Sequence, residues 1–225
     1  MPFDRSTLEI TLASASPRRR ELMGLTGWCF SVCSSPVPEA PRLGEEPKEF
    51  ATRLALSKAN AARDAYPDIA VILAADTMVI HNGVILGKPA NAAEAFSMLQ
   101  DLRGLEHDVI TAIALLVKDQ TSLTALCESR VPMREYEEGE IQVYVEGGSP
   151  LDKAGAYGIQ DPDFHPVDIE NFSDCFANVM GLPLCHLVRA MKQLGYVVLN
   201  DVPERCMQFT GYGCTIYPTI LRGDL

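Results

Sequence analysis

Apolar residues in the first part of the chain occur either in short continuous runs or at helical spacing. The runs at 8–13 and 69–75 are typical of buried strands, and 28–33 is predicted to be a second strand. Helical spacing begins at Pro17 and continues to about Gly27, and it returns over 47–66. Strands that alternate with helices in this way predict an α/β fold.

The second part of the chain begins with a strong hairpin signal. His81-Asn82-Gly83 separates two apolar segments, 77–80 and 84–86, and Asn-Gly favours a two-residue type I′ turn. Two long strands, 107–117 and 123–136, are joined by 118–122 and are expected to pair antiparallel. We also predict helices from Asn91 to Leu102, over 137–145 and, as the last helix, from Gly181-Leu182-Pro183 to Leu194, a loop over 149–163, and an edge strand over 196–199.

The first predicted strand leads into a helix that begins with three arginines. Ser16 can cap this helix, and Pro17 suits its first position. Arg18, Arg19 and Arg20 add positive charge where the helix start is already positive, which is unfavourable unless an anion binds there. The segment therefore indicates a phosphate site, although a surface helix with solvated arginines explains the same residues.

An acidic residue, Asp76, directly follows the buried run 69–75. Ligands of open α/β sheets bind beyond the carboxyl ends of strands, so Asp76 is a candidate active-site residue. A turn or a helix cap is the ordinary alternative. Lys88, held between Gly87 and Pro89, follows the hairpin and is expected to point back towards Asp76.

Three further polar residues stand out by their surroundings. Lys58 interrupts the apolar stripe of the helix 47–66, either as a lysine aimed into a cleft or as one that snorkels at the edge of the stripe. Glu39 lies in a stiff, proline-rich loop. Gln160 lies in a glycine-bearing loop and could read the edge of a base, or could simply be a surface glutamine.

Composition limits the class of ligand. A net charge of −11 opposes binding to a nucleic-acid polymer but allows a mononucleotide in a local basic pocket. We see neither a secretory signal nor an apolar run of membrane-spanning length, so we expect a cytoplasmic protein. The seven cysteines lack zinc-site spacing and are expected to be free thiols, and Cys185-His186 is interpreted as packing.

The ordered motifs of the chain resemble those of the Maf family of nucleotide pyrophosphatases. The matching pieces are Leu-Ala-Ser-x-Ser-Pro-Arg-Arg at 12–19, a helical lysine at Lys58, Ala-Asp-Thr at 75–77, Gly-Lys-Pro at 87–89, Asp-Lys-Ala-Gly-Ala-Tyr-Gly-Ile-Gln at 152–160 and Asn-Val-x-Gly-Leu-Pro at 178–183. Six pieces in family order make a specific resemblance over about residues 8–196.

The resemblance implies a fold and a reaction. The fold would be an elongated mixed, twisted sheet flanked by helices, in two lobes with a central cleft, as in inosine triphosphatases. The reaction would be hydrolysis of a nucleoside triphosphate to the monophosphate and pyrophosphate with a divalent cation. Residues 1–199 would form this domain, with 200–225 as a tail of unknown role, and a homodimer is one expected assembly.

The resemblance also assigns roles to residues. Asp76 matches the proton acceptor, and Arg18, Lys58 and Lys88 match phosphate-contacting positions. Arg18, Thr77 and Gln160 match the set found in dTTP/UTP-type members, rather than the Trp, Gln and Glu of members that act on 7-methyl-GTP. The predicted substrate-binding set is completed by Ser14, and Glu39 and Asp76 are the predicted ligands of Mg²⁺ or Mn²⁺.

Two departures from the family pattern concern the same predicted cleft. Pro38 replaces an Asp that many members carry before Glu39, and Asp161-Pro162-Asp163 replaces a glycine-rich step after Gln160. Two alternatives to a dTTP/UTP pyrophosphatase therefore stay open at this point. One is the same chemistry on another base, and the other is a nucleotide-binding regulator of cell division without turnover.

Overall fold

A mixed β-sheet forms the centre of the fold in the computed structural model, which describes residues 9–34, 36–118, 122–198 and 200–224. Within these ranges the strands are β1 (Glu9–Ala13), β2 (Cys29–Cys33), β3 (Val71–His81), β4 (Val84–Leu86), β5 (Glu106–Val117) and β6 (Leu123–Pro132). Their order is β2-β1-β3-β5-β6, and β4 pairs with β3. The β1 strand is parallel to β2 and β3, whereas β5 is antiparallel to β3 and β6. The predicted α/β class and the antiparallel pair of long strands are thus confirmed.

Helices cover both faces of this sheet. In the described ranges they are α1 (Pro17–Gly24), α2 (Pro47–Ala65), α3 (Ala92–Leu102), α4 (Glu138–Glu146), α5 (Phe176–Met180), α6 (Leu184–Gln193), α7 (Val202–Thr210) and α8 (Tyr217–Arg222). Ile72 and Ala74 of β3 pack in the cluster with α2, while Val71 and Leu73 join the larger core on the other face. This two-sided burial explains why the predicted strand is a continuous apolar run.

The central strand extends further than predicted. Asp76 lies inside β3 rather than after its end, because β5 pairs with β3 from Val71 to Ile80 and carries the strand through the acidic residue. The pairing of β1 with β3 stops at Leu73. Asp76 therefore lies just past the end of the neighbouring parallel strand, and this position opens one side of β3 for a site.

The hairpin after β3 is confirmed in detail. Asn82 and Gly83 have φ values of 49° and 76°. A type I′ turn needs positive φ at both central residues, which Asn and Gly tolerate best. The turn sends the chain back along β3 and into Gly87.

Several predicted boundaries are wrong. The first helix ends at Gly24, not near Gly27, because Leu25 and Thr26 close it with turn hydrogen bonds to Leu22 and Met23. The predicted edge strand is absent from 196–198, which does not belong to any strand of the described sheet. The loop 149–163 contains two 3₁₀ turns, Ser149–Asp152 and Ala154–Ala156.

The helix ending near Leu194 is not the last one, because α7 and α8 follow it. Helix α7 is capped by the side chain of Asp201, and Arg189 of α6 donates to the carbonyl of Ile220 in α8 at 2.9 Å. The tail is therefore folded onto the body of the protein. Among the residues of the predicted elements and tail, Leu8, Ser35, 119–121, Leu199 and Leu225 lie outside the described ranges.

No helix in the described part of the chain has the length and apolar character needed to cross a membrane. All seven cysteines are free thiols. Cys185 and His186 are both buried in α6, which agrees with their interpretation as packing residues.

Candidate active site

A cavity of about 700 Å³ opens beside the second half of β3. Every residue predicted for substrate, metal or catalysis lines it: Ser14, Arg18, Glu39, Lys58, Asp76, Thr77, Lys88 and Gln160. These side chains come from the β1–α1 turn, the start of α1, the proline-rich loop, α2, β3, the β4–α3 connection and the loop that follows the second 3₁₀ turn. The structure thus brings residues that are far apart in the sequence to one hollow, while their roles stay predictions.

The start of α1 forms one wall of the cavity. Ser16 caps the helix, accepting a hydrogen bond from the backbone N–H of Arg19 at 3.4 Å, and Pro17 occupies the first helical position, as predicted. Arg18 lines the cavity and pairs with Asp152, another lining residue, at 3.3 Å. Arg20 is exposed, so the alternative of a solvated arginine holds for this residue alone.

Lys58 lies between the two predicted metal ligands. Its Nζ is 2.5 Å from Oδ1 of Asp76 and 2.6 Å from Oε1 of Glu39. The side chains of Lys58 and Asp76 are only 14% and 10% exposed, so solvent screens this pair weakly. Lys58 is thus aimed into the cleft and is not a snorkelling residue at the edge of the stripe.

The surroundings of Asp76 act on its pKa in opposite directions. Burial raises the pKa of Asp76 above its ordinary value, and the ammonium of Lys58 opposes this rise through both charge and a hydrogen bond. Arg19 also opposes it, while Glu39 adds to it. A buried carboxylate with a raised pKa on the wall of a cavity is typical of a general base.

The two carboxylates could share one cation. Oxygens of Glu39 and Asp76 converge on a single ammonium, so they lie close enough to contact one ion together. In the described residues no cluster of three or more His, Cys, Asp or Glu forms a complete metal site. Mg²⁺ commonly takes only one or two protein carboxylates and completes its shell with phosphate and water oxygens, so the donor set fits such an ion.

Arg19 is a site residue that our reading of the sequence missed. Its guanidinium donates to the carbonyl of Gly181 at 2.8 Å, to Oγ1 of Thr77 at 2.9 Å and to Oγ of Ser14 at 3.3 Å. Burial lowers the pKa of Arg19, and the nearby Asp76 opposes that shift. Arg18, Arg19 and Arg20 are consecutive, so the sequence does not show which side chain faces the cavity. That depends on how α1 is oriented against the sheet.

Gly181 allows this close approach. It has a φ of +107°, and a Cβ there would lie 3.2 Å from Oγ1 of Thr77 and 3.5 Å from Nε of Arg19. A side chain at this position would be strained in its backbone and crowded by both neighbours. The Gly-Leu-Pro motif therefore serves the cavity as well as the start of α6.

The hydroxyl of Thr77 has a defined direction. Thr111, its cross-strand partner, donates to the carbonyl of Asn178 at 3.0 Å, and the two threonine oxygens are 3.0 Å apart. Because the proton of Thr111 is already used, Thr77 must donate to Thr111. With Arg19 donating to it as well, Thr77 can offer a ligand only an acceptor lone pair.

The remaining predicted residues of the cavity are Lys88 and Gln160. Lys88 is exposed and forms no ion pair with any residue that the structure describes. The carbonyl of the preceding residue, Gly87, accepts a 3.1 Å hydrogen bond from the N–H of Gly155. Gln160 donates from Nε2 to Oδ1 of Asp161 at 3.2 Å. Its Oε1 is buried and has no partner within the described structure.

A comparison with family models decides the relationship. The model described as "Maf-like protein" matches residues 9–194, most of the chain. The chain belongs to the Maf-like protein family. The match ends before α7, so the two tail helices of this Maf-like protein lie outside it.

Curated relatives of this Maf-like protein carry the name dTTP/UTP pyrophosphatase. The relative from Dehalococcoides mccartyi is 44% identical over 84% of this chain and 83% of its own length. Those from Geobacter sulfurreducens and Bacillus thuringiensis are 43% and 42% identical, over 83% and 85% of this chain and 96% and 98% of their own lengths.

Among solved structures, the Staphylococcus aureus Ham1 protein matches with a TM-score of 0.40 and 17% identity, over 56% of this chain and 72% of its own. Protein VC0702 from Vibrio cholerae matches with a TM-score of 0.39 and 15% identity, over 85% of this chain and 99% of its own.

Proposed function

We propose that this Maf-like protein hydrolyses dTTP and UTP to the corresponding monophosphate and pyrophosphate. One observation carries the proposal: three cations, Arg18, Lys58 and Lys88, and the buried carboxylate of Asp76 share one cavity. Cations at a helix start suit a polyphosphate, and a pure binding site has no need of a positioned base. The names of the curated relatives support the same substrates.

In the proposed mechanism, cationic groups offset the charge of the triphosphate. Arg18 suits bidentate contact with phosphate oxygens, and the N-terminus of α1 adds backbone donors and a partial positive charge. Lys58 and Lys88, which both line the cavity, contribute point charges.

Asp76 would orient and deprotonate the water that attacks the α-phosphorus, with pyrophosphate as the leaving group. A carboxylate whose pKa is raised by burial is a stronger base than an exposed one. Glu39 and Asp76 would hold Mg²⁺ or Mn²⁺, which supplies charge neutralisation for the phosphates when bound. Lys58, which contacts both carboxylates, would then turn towards the phosphate oxygens.

Recognition of the base is assigned to Arg18, Thr77 and Gln160. The acceptor character of Thr77 and the amide of Gln160 suit a base that carries both a donor and an acceptor on its edge. We further propose that the protein acts in the cytoplasm and removes unwanted nucleotides.

The decisive experiment is a panel of triphosphates with Mg²⁺ or Mn²⁺, followed by detection of pyrophosphate. We expect release from dTTP and UTP, loss of release in EDTA, and recovery on adding metal. Preference for 7-methyl-GTP would contradict the proposed substrates. Tight binding without pyrophosphate release would favour a non-catalytic regulator instead.

A further inference from the structure

The residue that follows Gln160 is a buried carboxylate whose two oxygens have separate tasks. Asp161 is 8% exposed. Its Oδ2 accepts from the hydroxyls of Tyr144 at 2.6 Å and Ser149 at 2.9 Å and lies 3.3 Å from Nζ of Lys153. Its Oδ1 accepts from Nε2 of Gln160. One edge of the carboxylate is therefore anchored by the protein, and the other edge faces Gln160.

This arrangement determines which way the amide of Gln160 points. A carboxylate beside an ammonium and two hydroxyl donors is an acceptor only, so it binds the NH₂ group of the amide and repels the carbonyl oxygen. The buried Oε1 of Gln160 has no partner in the described structure, and Nε2 keeps a second N–H. The groups left to a ligand are thus an acceptor next to a donor, in a fixed order.

We propose that Asp161 is a positioning residue for base specificity, because it fixes the amide orientation of Gln160. The inference rests on the proposed function and deepens it. The imide edge of uracil or thymine offers N3–H to Oε1 and an adjacent carbonyl to Nε2. Cytosine presents the reverse pattern at N3 and N4, so it requires a flipped amide that would set Oε1 of Gln160 against Asp161.

The substitution Asp161→Asn tests this directly, because it keeps the shape and changes the donor pattern. Tyr144, Ser149 and Lys153 all donate on the anchored side, so the oxygen of the new amide turns to them and its NH₂ faces Gln160. Gln160 then flips. We expect the UTP/CTP ratio of kcat/KM to fall by roughly tenfold or more, since a mismatched polar contact in a binding site is costly.

Tyr144→Phe is the matched control. It removes a donor to Oδ2 and leaves the contact between Oδ1 and Gln160, so it is expected to lower Tm while keeping the UTP/CTP ratio. If Asp161→Asn does not fold, Asp161→Ala removes the acceptor beside Nε2 of Gln160, which frees the amide to adopt both orientations and should lower the UTP/CTP ratio.

Three outcomes would overturn the proposal and can be told apart. An unchanged UTP/CTP ratio in a folded Asp161 variant shows that Gln160 is oriented by something else, while pyrophosphatase activity stands. Equal hydrolysis of UTP and CTP by the wild type shows that the edge is not read at all. Failure of the wild type to hydrolyse any triphosphate removes the proposed function and this inference with it.

Discussion

Replacing Lys58 by methionine removes the counter-ion of a buried carboxylate. Lys58 contacts Asp76 at 2.5 Å and Glu39 at 2.6 Å, and methionine keeps much of its length without the charge. Without the ammonium, the protonated form of Asp76 is favoured, because burial already raises the pKa of this group. The acid limb of the pH profile for kcat/KM is therefore expected to move to higher pH.

The size of this displacement follows from the environment of the pair. Two unit charges about 4 Å apart interact by about 4 kcal/mol at an effective dielectric of about 20, and the variant loses an interaction of this order. One pH unit corresponds to about 1.4 kcal/mol, so the limb should move up by about 1–3 pH units. Burial of both side chains keeps the effect from being screened away.

The assay measures pyrophosphate release from UTP across the pH range, with Lys118→Met as the matched control. Lys118 pairs with Asp68 at 3.0 Å, but these side chains are 44% and 96% exposed. Loss of an exposed ion pair should leave the acid limb of the pH profile for kcat/KM unchanged. An acid limb that stays fixed in Lys58→Met, or an equal displacement in the control, would refute the coupling of Lys58 to Asp76.

Three further predictions test other parts of the site. Asp76→Asn should lower kcat by at least about a hundredfold with a Tm close to that of the wild type, and near-normal turnover would remove Asp76 from the mechanism. Arg19→Lys should reduce kcat/KM for UTP about tenfold or more, because one ammonium cannot reproduce the three directed contacts of the guanidinium; unchanged kinetics would show that these contacts are dispensable. Gly158→Ala should destabilise the fold by about 1–3 kcal/mol in urea unfolding, since its Cβ would lie 2.4 Å from Oδ1 of Asp161. Gly139→Ala, with open space in α4, should instead stabilise by up to about 1 kcal/mol, and equal effects of the two substitutions would count against the crowding argument.

Elements with strong local signals could be predicted closely from the sequence. Asn91 caps α3 through its side chain, and Asn82-Gly83 forms the expected turn. Helix α7 was missed although its signal was present: Asp201 caps it, and Pro203 and Glu204 follow in the first turn. This helix was not predicted because the tail has few apolar residues at helical spacing.

Features that depend on distant partners could not be predicted in the same way. The strand β3 continues through Asp76 because β5 pairs with it there, and no local pattern reveals that pairing. The contact of Lys58 with Glu39 joins α2 to the proline-rich loop, and the sequence of this loop has no pattern that predicts where it packs. The anchoring of Asp161 needs residues from α4 and the 3₁₀ segment together.

By itself, the sequence determined the succession of strands and helices, the capped start of α1 and the identity of the charged groups, because hydrophobic periodicity and capping depend on neighbouring residues. The tertiary structure alone decided that Arg19 turns inwards, that Lys58 bridges two carboxylates, and that Tyr144 anchors Asp161. These are matters of direction and distance between groups far apart in the chain. Sheet order and packing determine these directions and distances, and neither can be predicted from the spacing of residues along the sequence.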